Sequence, residues 1–421
     1  MKILLLNTTP TSEMFDMFQM KGSYNGSGWV DGVIQRLGES NEVHFACFWI
    51  IDEYRKKIQG NVQYSVIPAA SANLNEVDQQ VLYWLSVIYK EFSPDVIHVF
   101  GTEHKWTRAA LQIMDPHKIV VHITGLMNVY ALHYYGGLTE KMTRVRTLRD
   151  LLKGGMKKGK LYFEKNGEYE KETLSQICNV MGRTTWDKAC ITLINPEIKY
   201  FHCNEMLRDI FYEKQWKLEK CEKYRIFVSA GNTPLKGIHK VLEAIVLVKK
   251  IYPQVRLVVA GNNVVKEDNL KDRLKMTSYG KMLINYIKKN HLDNNVLFIG
   301  PQNALEMQKQ YLKSHVYVLP SAIENSPNSL GEAMLLGMPC VASCVGGVQD
   351  LLRDKEDGYI YPYDEPYMLA FYIMQFFQND GNAVEIGKNA RKHAMDTHDR
   401  EKIYNNLMKI YSEVMTNSQM D

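Results

Sequence analysis

Short apolar runs alternate with amphipathic stretches of helical spacing along the whole chain. In the first half the apolar runs cover 3–7, 42–49, 95–100 and 118–124, and helical patterns fall near 29–37, 75–92 and 105–114. In the second half the runs 225–231, 256–261 and 296–300 each end in glycine, and a fourth, 316–320, precedes another helical pattern. Continuous apolar runs between helices predict strands buried on both faces, hence an α/β chain with doubly wound parallel sheets. A glycine at a strand end lets backbone or ligand approach closely, so the second half reads as a nucleotide-binding sheet. The boundaries drawn from this pattern are a first domain at 1–215, a second at 216–397, and a terminal helical segment at 398–421 with no strand after it. The lysine-rich stretch 212–224 reads as the hinge between them.

The most informative junction lies after the run 316–320. Ser326 and Pro327 read as an N-cap followed by proline at the first helical position, so a helix starts facing the strand's C-terminal end. Ligands of open parallel sheets bind beyond those ends, and a helix N-terminus suits an anion such as a diphosphate. The backbone N–H groups of Asn328, Ser329 and Leu330 would be its donors. Glu324 falls in the preceding loop and Glu332 in the helix's second turn, so two carboxylates flank the anion position and can accept from ligand hydroxyls. That combination suggests a ligand with both sugar and phosphate.

The segment from Glu324 to Glu332, with the downstream Gly337-Met338-Pro339 and Gly346-Gly347, resembles the E-x7-E signature of family 4 retaining glycosyltransferases. The resemblance implies a GT-B fold: two Rossmann-like domains facing a cleft, with a C-terminal helix crossing back to the first. It also implies that Glu324 contacts the transferred sugar, Glu332 the nucleotide ribose, and the amides at 328–330 the diphosphate. A second phosphate element, Ser229 to Gly237, is similar to the family's S-x-G-R-x-x-x-K-G segment. Gly231 would free the turn and Lys236 would bring an ammonium to the diphosphate, while Asn232 stands where the family usually has arginine. The donor implied is a UDP- or GDP-sugar with no further cofactor, and the acceptor a saccharide or lipid-linked saccharide.

Other candidates lie in the first half. Gly22, Gly26 and Gly28 precede Trp29 at the first strand-to-helix turn, and the resemblance makes Gly26 and Gly28 donor-side candidates. Relatives often carry an active-site histidine at the end of the 118–124 run. Here Thr124 occupies that place, with His122 two residues earlier on the same strand face by alternation. His133, in His133-Tyr134-Tyr135-Gly136-Gly137, is another acceptor-side candidate. Arg183 and Asp187 stand at i,i+4 spacing and read either as a structural ion pair or as acceptor-binding groups. Their segment and 202–208 resemble a surface-polysaccharide subgroup of the family.

Composition narrows the picture further. The 421 residues, 45% hydrophobic and 23% charged, suit a globular protein of two domains, and no apolar run approaches a membrane span. Residues 1–7 are too short for a signal segment, so a cytoplasmic location is expected. Seven scattered cysteines without a C-x-x-C pair fit reduced thiols, and no zinc site is suggested. No D-x-D occurs, so a metal-independent enzyme is expected, with lysine and helix amides at the diphosphate. Net charge is only +4, but residues 141–171 hold ten Lys/Arg against four Asp/Glu. With leucines interspersed, that stretch could lie on anionic lipid at the inner membrane face or form a solvated face. Nucleic acid is not expected, because no binding module accompanies the charge. Alternatives to an active transferase are a catalytically silent sugar-nucleotide-binding subunit, a GT-B phosphorylase or an epimerase.

Overall fold

Leu4 and Leu6 point to one face of the first sheet and Ile3 and Leu5 to the other, and all four are fully buried. Both faces of that sheet are therefore covered, which is why its strands read as unbroken apolar runs. The computed structural model describes residues 1–20, 28–69, 77–102 and 104–418, which form two compact units.

The first unit comprises 1–129, 164–208 and 398–421. Its strands are β1 (Lys2–Asn7), β2 (Glu42–Trp49), β3 (Arg55–Gln59), β4 (Val62–Pro68), β5 (Val96–Phe100), β6 (Ile119–His122), β7 (Asn179–Gly182) and β8 (Lys199–His202). They are ordered β3-β4-β2-β1-β5-β6-β7-β8, parallel except for the antiparallel edge strand β3. On the face of Ile3 and Leu5 pack the helix Gly28–Gly38 and the C-terminal helix Arg400–Asn417. The latter is capped by Asp399, whose side chain accepts from the Lys402 N–H, and it buries Ile403, Leu407, Ile410, Tyr411 and Val414. Each such side chain contributes roughly 1.5–3 kcal/mol on burial, enough in sum to hold the helix to this sheet. The Tyr411 hydroxyl also meets His98 Nδ1 at 2.6 Å. On the opposite face, the helices Gln79–Phe92 and Lys105–Ile113 cover Leu4, Leu6, Ile97 and Val99.

The second unit comprises 130–163 and 209–397. Its six strands are β9 (Glu222–Val228), β10 (Arg256–Ala260), β11 (Val296–Gly300), β12 (Ser314–Leu319), β13 (Cys340–Ser343) and β14 (Tyr359–Tyr361), all parallel in the order β11-β10-β9-β12-β13-β14.

Two features bear on the boundaries read in the sequence, and the second departs from them. Within the stretch 212–224 read as the hinge, Trp216 already belongs to the second unit: it is buried, its N–H donating to the Leu336 carbonyl at 2.7 Å and its indole N–H to the Ser314 carbonyl at 2.8 Å. Residues 130–163, placed with the first domain on order alone, pack with the second unit. Asp150 accepts from the Ser278 N–H at 2.7 Å, and the Gly136 carbonyl accepts from Tyr363 at 2.7 Å. All seven cysteines are free thiols. Among the described residues no helix is long and apolar enough to cross a membrane.

Candidate active site

The chain leaves β9 toward β10 on one side and reaches β12 on the other, so the order reverses between β9 and β12. Loops at such a switch point bound the ligand crevice of an open parallel sheet. The loop after β9 runs through Gly231, where a Cβ would sit 2.7 Å from Val259 Cγ1, so this glycine is required by close packing rather than by an unusual φ. A 3-10 turn, Pro234–Lys236, follows and ends at Gly237 with φ +65°, where a Cβ would meet the Pro320 carbonyl oxygen at 1.7 Å. No other residue fits there. The Ala322 N–H donates to the Leu235 carbonyl at 2.8 Å, which ties the loop after β9 to the loop after β12. As a result Lys236 Nζ forms an ion pair with Glu324 Oε1.

Glu324 is held from several directions. Ser321 Oγ donates to its Oε1 at 2.7 Å, and its carbonyl accepts from the Gly347 N–H at 3.1 Å. Gly346, with φ +50°, lies so near that a Cβ would come 1.9 Å from the Glu324 carbonyl oxygen. The carboxylate is thus fixed while Lys236 keeps 39% of its side chain exposed, so the lysine is the partner with access to an incoming anion.

The helix beyond it, Asn328–Leu335, starts one residue later than the sequence suggests, with Pro327 rather than Ser326 at the N-cap. The Leu330 N–H donates to the Pro327 carbonyl at 2.9 Å, so of the three amides expected to face an anion this one is taken up by the helix's own first turn. Ser329 is itself anchored, its hydroxyl accepting from Tyr317 at 2.9 Å and its carbonyl from Tyr311 at 3.0 Å. Tyr317 also meets Ser229 Oγ at 3.0 Å, so one buried phenol bridges the ends of both loops, and burial raises its pKa. Glu332 is buried in the second turn of the helix. Asn232 lies half-buried in the loop after β9.

A third segment closes on this loop, and the sequence did not reveal it. Gly136, φ +55°, lies against the Pro234 carbonyl, and its own carbonyl is 2.7 Å from His239 Nε2. His239 Nδ1 meets the Tyr279 hydroxyl at 3.1 Å, and burial holds the imidazole pKa down to about 4. A histidine kept neutral in the fold binds fewer protons than its unfolded counterpart between the folded value and the ordinary 6.5. Its contribution is whole above that window and declines as pH falls through it. His239→Gln is therefore expected to flatten the loss of urea stability between neutral pH and pH 4 by up to about 3 kcal/mol. An unchanged pH slope would show that His239 is not the titrating group. His133, in contrast, is exposed in the same segment, with its carbonyl accepting from the Gly136 N–H at 2.8 Å.

The remaining candidates belong to the first unit. β6 ends at His122, so Thr124 lies beyond the strand, half-buried, with its carbonyl accepting from Arg183 at 3.3 Å. His122 is buried, with Nε2 3.3 Å from Glu205 Oε1, while the Arg183 guanidinium pairs with Glu205 Oε2 at 2.7 Å. Arg183 and Asp187 are not a helix-surface pair, because Arg183 precedes the N-cap Thr184. Asp187 completes a capping box with Thr184 and accepts from the Arg183 N–H at 2.9 Å and the Tyr200 hydroxyl at 2.6 Å. Its complete burial suits a structural carboxylate better than an acceptor contact. Gly22 and Gly26 lie outside the described residues, and Gly28 begins the helix Gly28–Gly38.

Comparison with known proteins bears on the second unit most directly. Residues 211–393 match the family described as Glycosyl transferases group 1. The matched residues lie within the second unit. That stretch holds Lys236, Glu324 and Glu332 together with the whole β9–β14 sheet. Among curated proteins, N-acetyl-alpha-D-glucosaminyl L-malate synthase of Bacillus anthracis is 26% identical over 133 residues, 32% of this chain and 34% of that protein. The first relatives found are matched over only about a third to a half of their length, 34% to 46%. Among solved structures, sucrose-phosphate synthase from Thermosynechococcus elongatus superposes with a TM-score of 0.67 at 14% identity, covering 99% of both chains. Anabaena HepE in complex with UDP-glucose gives 0.67 at 15% identity, covering 99% of this chain and 100% of that one. The fold is GT-B, with two parallel-sheet Rossmann-like domains. Among the described residues, no group of three or more His, Cys, Asp or Glu side chains is placed to hold a metal ion.

Proposed function

We propose that the protein is a retaining glycosyltransferase that moves a sugar from a nucleoside diphosphate sugar, UDP- or GDP-linked, to an acceptor hydroxyl. The observation that carries the reading is the Lys236–Glu324 pair at the β9/β12 switch point, beside the first turn of the helix Asn328–Leu335. HepE, of the same fold, holds UDP-glucose, which supports a nucleotide-sugar donor here. In this reading Lys236 turns from Glu324 to the diphosphate, and the amides of Asn328 and Ser329 hold the same anion. The bond from the anomeric carbon to the phosphate oxygen breaks with its electron pair left on the diphosphate, and the acceptor oxygen forms the new bond while its proton passes to the departing diphosphate oxygen. Glu324, held by Ser321, faces the positive charge that develops on the sugar, and Glu332 accepts from the ribose. Lysine and helix dipole supply the charge neutralisation that a metal ion gives in other enzymes. The resemblance of 182–189 and 202–208 to surface-polysaccharide transferases supports a saccharide or lipid-linked saccharide acceptor, and thus a role in polysaccharide or glycolipid assembly.

A thermal-shift series with UDP, GDP, ADP and their glucose conjugates tests this. One nucleotide at a hundred times its Kd should stabilise the wild type by about 2.7 kcal/mol, and Glu332→Ala should respond much less. If no nucleotide shifts the wild type, the donor site is absent and the proposal fails. Binding without release of sugar to any acceptor would instead favour a silent nucleotide-sugar-binding subunit.

A further inference from the structure

Residues 141–163 contain eight Lys or Arg and a single acid, Asp150. Asp150 is buried, its carboxylate accepting from the Ser278 N–H at 2.7 Å, so the one negative charge of the segment is turned into the fold. Glu140, at its edge, is paired with Arg144. The segment also presents apolar side chains to solvent. On the short helix Leu148–Lys153, Leu148, Leu151 and Leu152 are 62%, 69% and 87% exposed, and Leu161 on the next helix is 55% exposed. A purely solvated helix face accounts for the lysines but not for the leucines, since leucines grouped in this way are ordinarily buried.

This surface is anchored by local caps and packing. Thr147 caps the short helix, and Gly154 and Gly155, with φ +86° and +53°, turn the chain directly into the helix Gly155–Leu174. A Cβ on Gly159 would meet the Tyr134 hydroxyl at 1.9 Å, and Tyr134 packs on Phe163 with ring centroids 5.2 Å apart. The inward contacts are thus satisfied by other residues, and the leucines are left facing outward. Beside Leu148 opens a cavity of about 340 Å³ whose charged lining is Arg146, Arg273 and Lys281 against Glu267. Glu267 already pairs with Lys288 at 2.6 Å, so the cavity favours an anion.

We infer that this face of the second unit docks on an anionic lipid surface, with Leu148, Leu151 and Leu152 entering the headgroup layer and a lipid phosphate seated among Arg146, Arg273 and Lys281. Leucine at the interface with cations around it is the composition that binds such membranes and is weak on neutral ones. Sedimentation of the full chain with phosphatidylcholine vesicles, with and without phosphatidylglycerol, tests the inference with no nucleotide present, so its outcome is independent of the donor-site proposal. The expected result is partition onto the anionic vesicles only, weakened by salt. Leu151→Glu combined with Leu152→Glu should lower it at least about tenfold, and Lys157→Glu combined with Lys158→Glu by about the same factor. All four side chains are exposed, so thermal midpoints should not move, which separates lost docking from lost folding. Absence of partition onto anionic vesicles overturns the inference, as does partition that the leucine variant leaves unchanged. A leucine variant that converts a dimer to a monomer without altering vesicle binding would assign the patch to a second copy of the chain instead.

Discussion

Lys236→Ala is expected to lower sugar transfer about a hundred- to a thousand-fold, read as kcat for nucleotide release from the donor. Removing one preorganised group that faces charge developing in the transition state typically costs that much. In the free protein Lys236 pairs with Glu324, so alanine both deletes the cation and leaves the carboxylate without it. The carboxylate stays placed through Ser321 and its carbonyl through Gly347, so the fold around it should hold. Lys236→Arg should recover part of the rate, because charge is kept while the fork geometry differs. Glu324→Gln provides the complementary measurement: it keeps shape and the hydrogen bond from Ser321 but removes the negative charge that the proposal sets against the sugar. A Lys236→Ala enzyme with wild-type turnover would remove the electrostatic role assigned to this loop.

The second large effect is on stability. Glu205→Ala should destabilise the first unit by about 3–5 kcal/mol, measured by urea unfolding, because it takes the carboxylate from a buried guanidinium. Arg183 is 5% exposed and pairs with Glu205 at 2.7 Å, while its other nitrogen reaches the Thr124 carbonyl at 3.3 Å. Replacing both charges, as Arg183→Met with Glu205→Leu, should cost less than removing Glu205 alone, since no buried charge is then stranded. A Glu205→Ala protein within about 1 kcal/mol of wild type, the range of ordinary single substitutions, would contradict the buried-pair account. Because Arg183 also grips the Ile123 and Thr124 carbonyls, loss of the pair should loosen the turn after β6.

Much of this was legible in the sequence. The runs at 3–7, 42–49, 225–231 and 256–261 became β1, β2, β9 and β10 because strands buried on both faces need apolar residues at every position. β3 was missed because Arg55–Gln59 is a charged, exposed edge strand whose sequence carries no such signal. β7 and β8 are four residues each, too short for a period to show. The helix over Glu332 was legible from Ser326 and Pro327, though the cap falls on Pro327 itself.

What the sequence determined by itself is local: which runs bury two faces, where a helix starts beneath a strand end, and that two glutamates bracket that start. Tertiary structure alone decided the pairings. Lys236 and Glu324 are 88 residues apart and meet because β9 and β12 are neighbours, while β10 and β11 are carried to the far side. Periodicity encodes burial but not strand order, so that neighbour relation could not be read from it. The same holds for Gly136 against Pro234 and His239, for Arg183 turning to Glu205 rather than Asp187, and for Asp150 facing Ser278. In each case a polar group's partner is set by which distant backbone the packed apolar faces bring within hydrogen-bond reach, and burial then makes that partner obligatory.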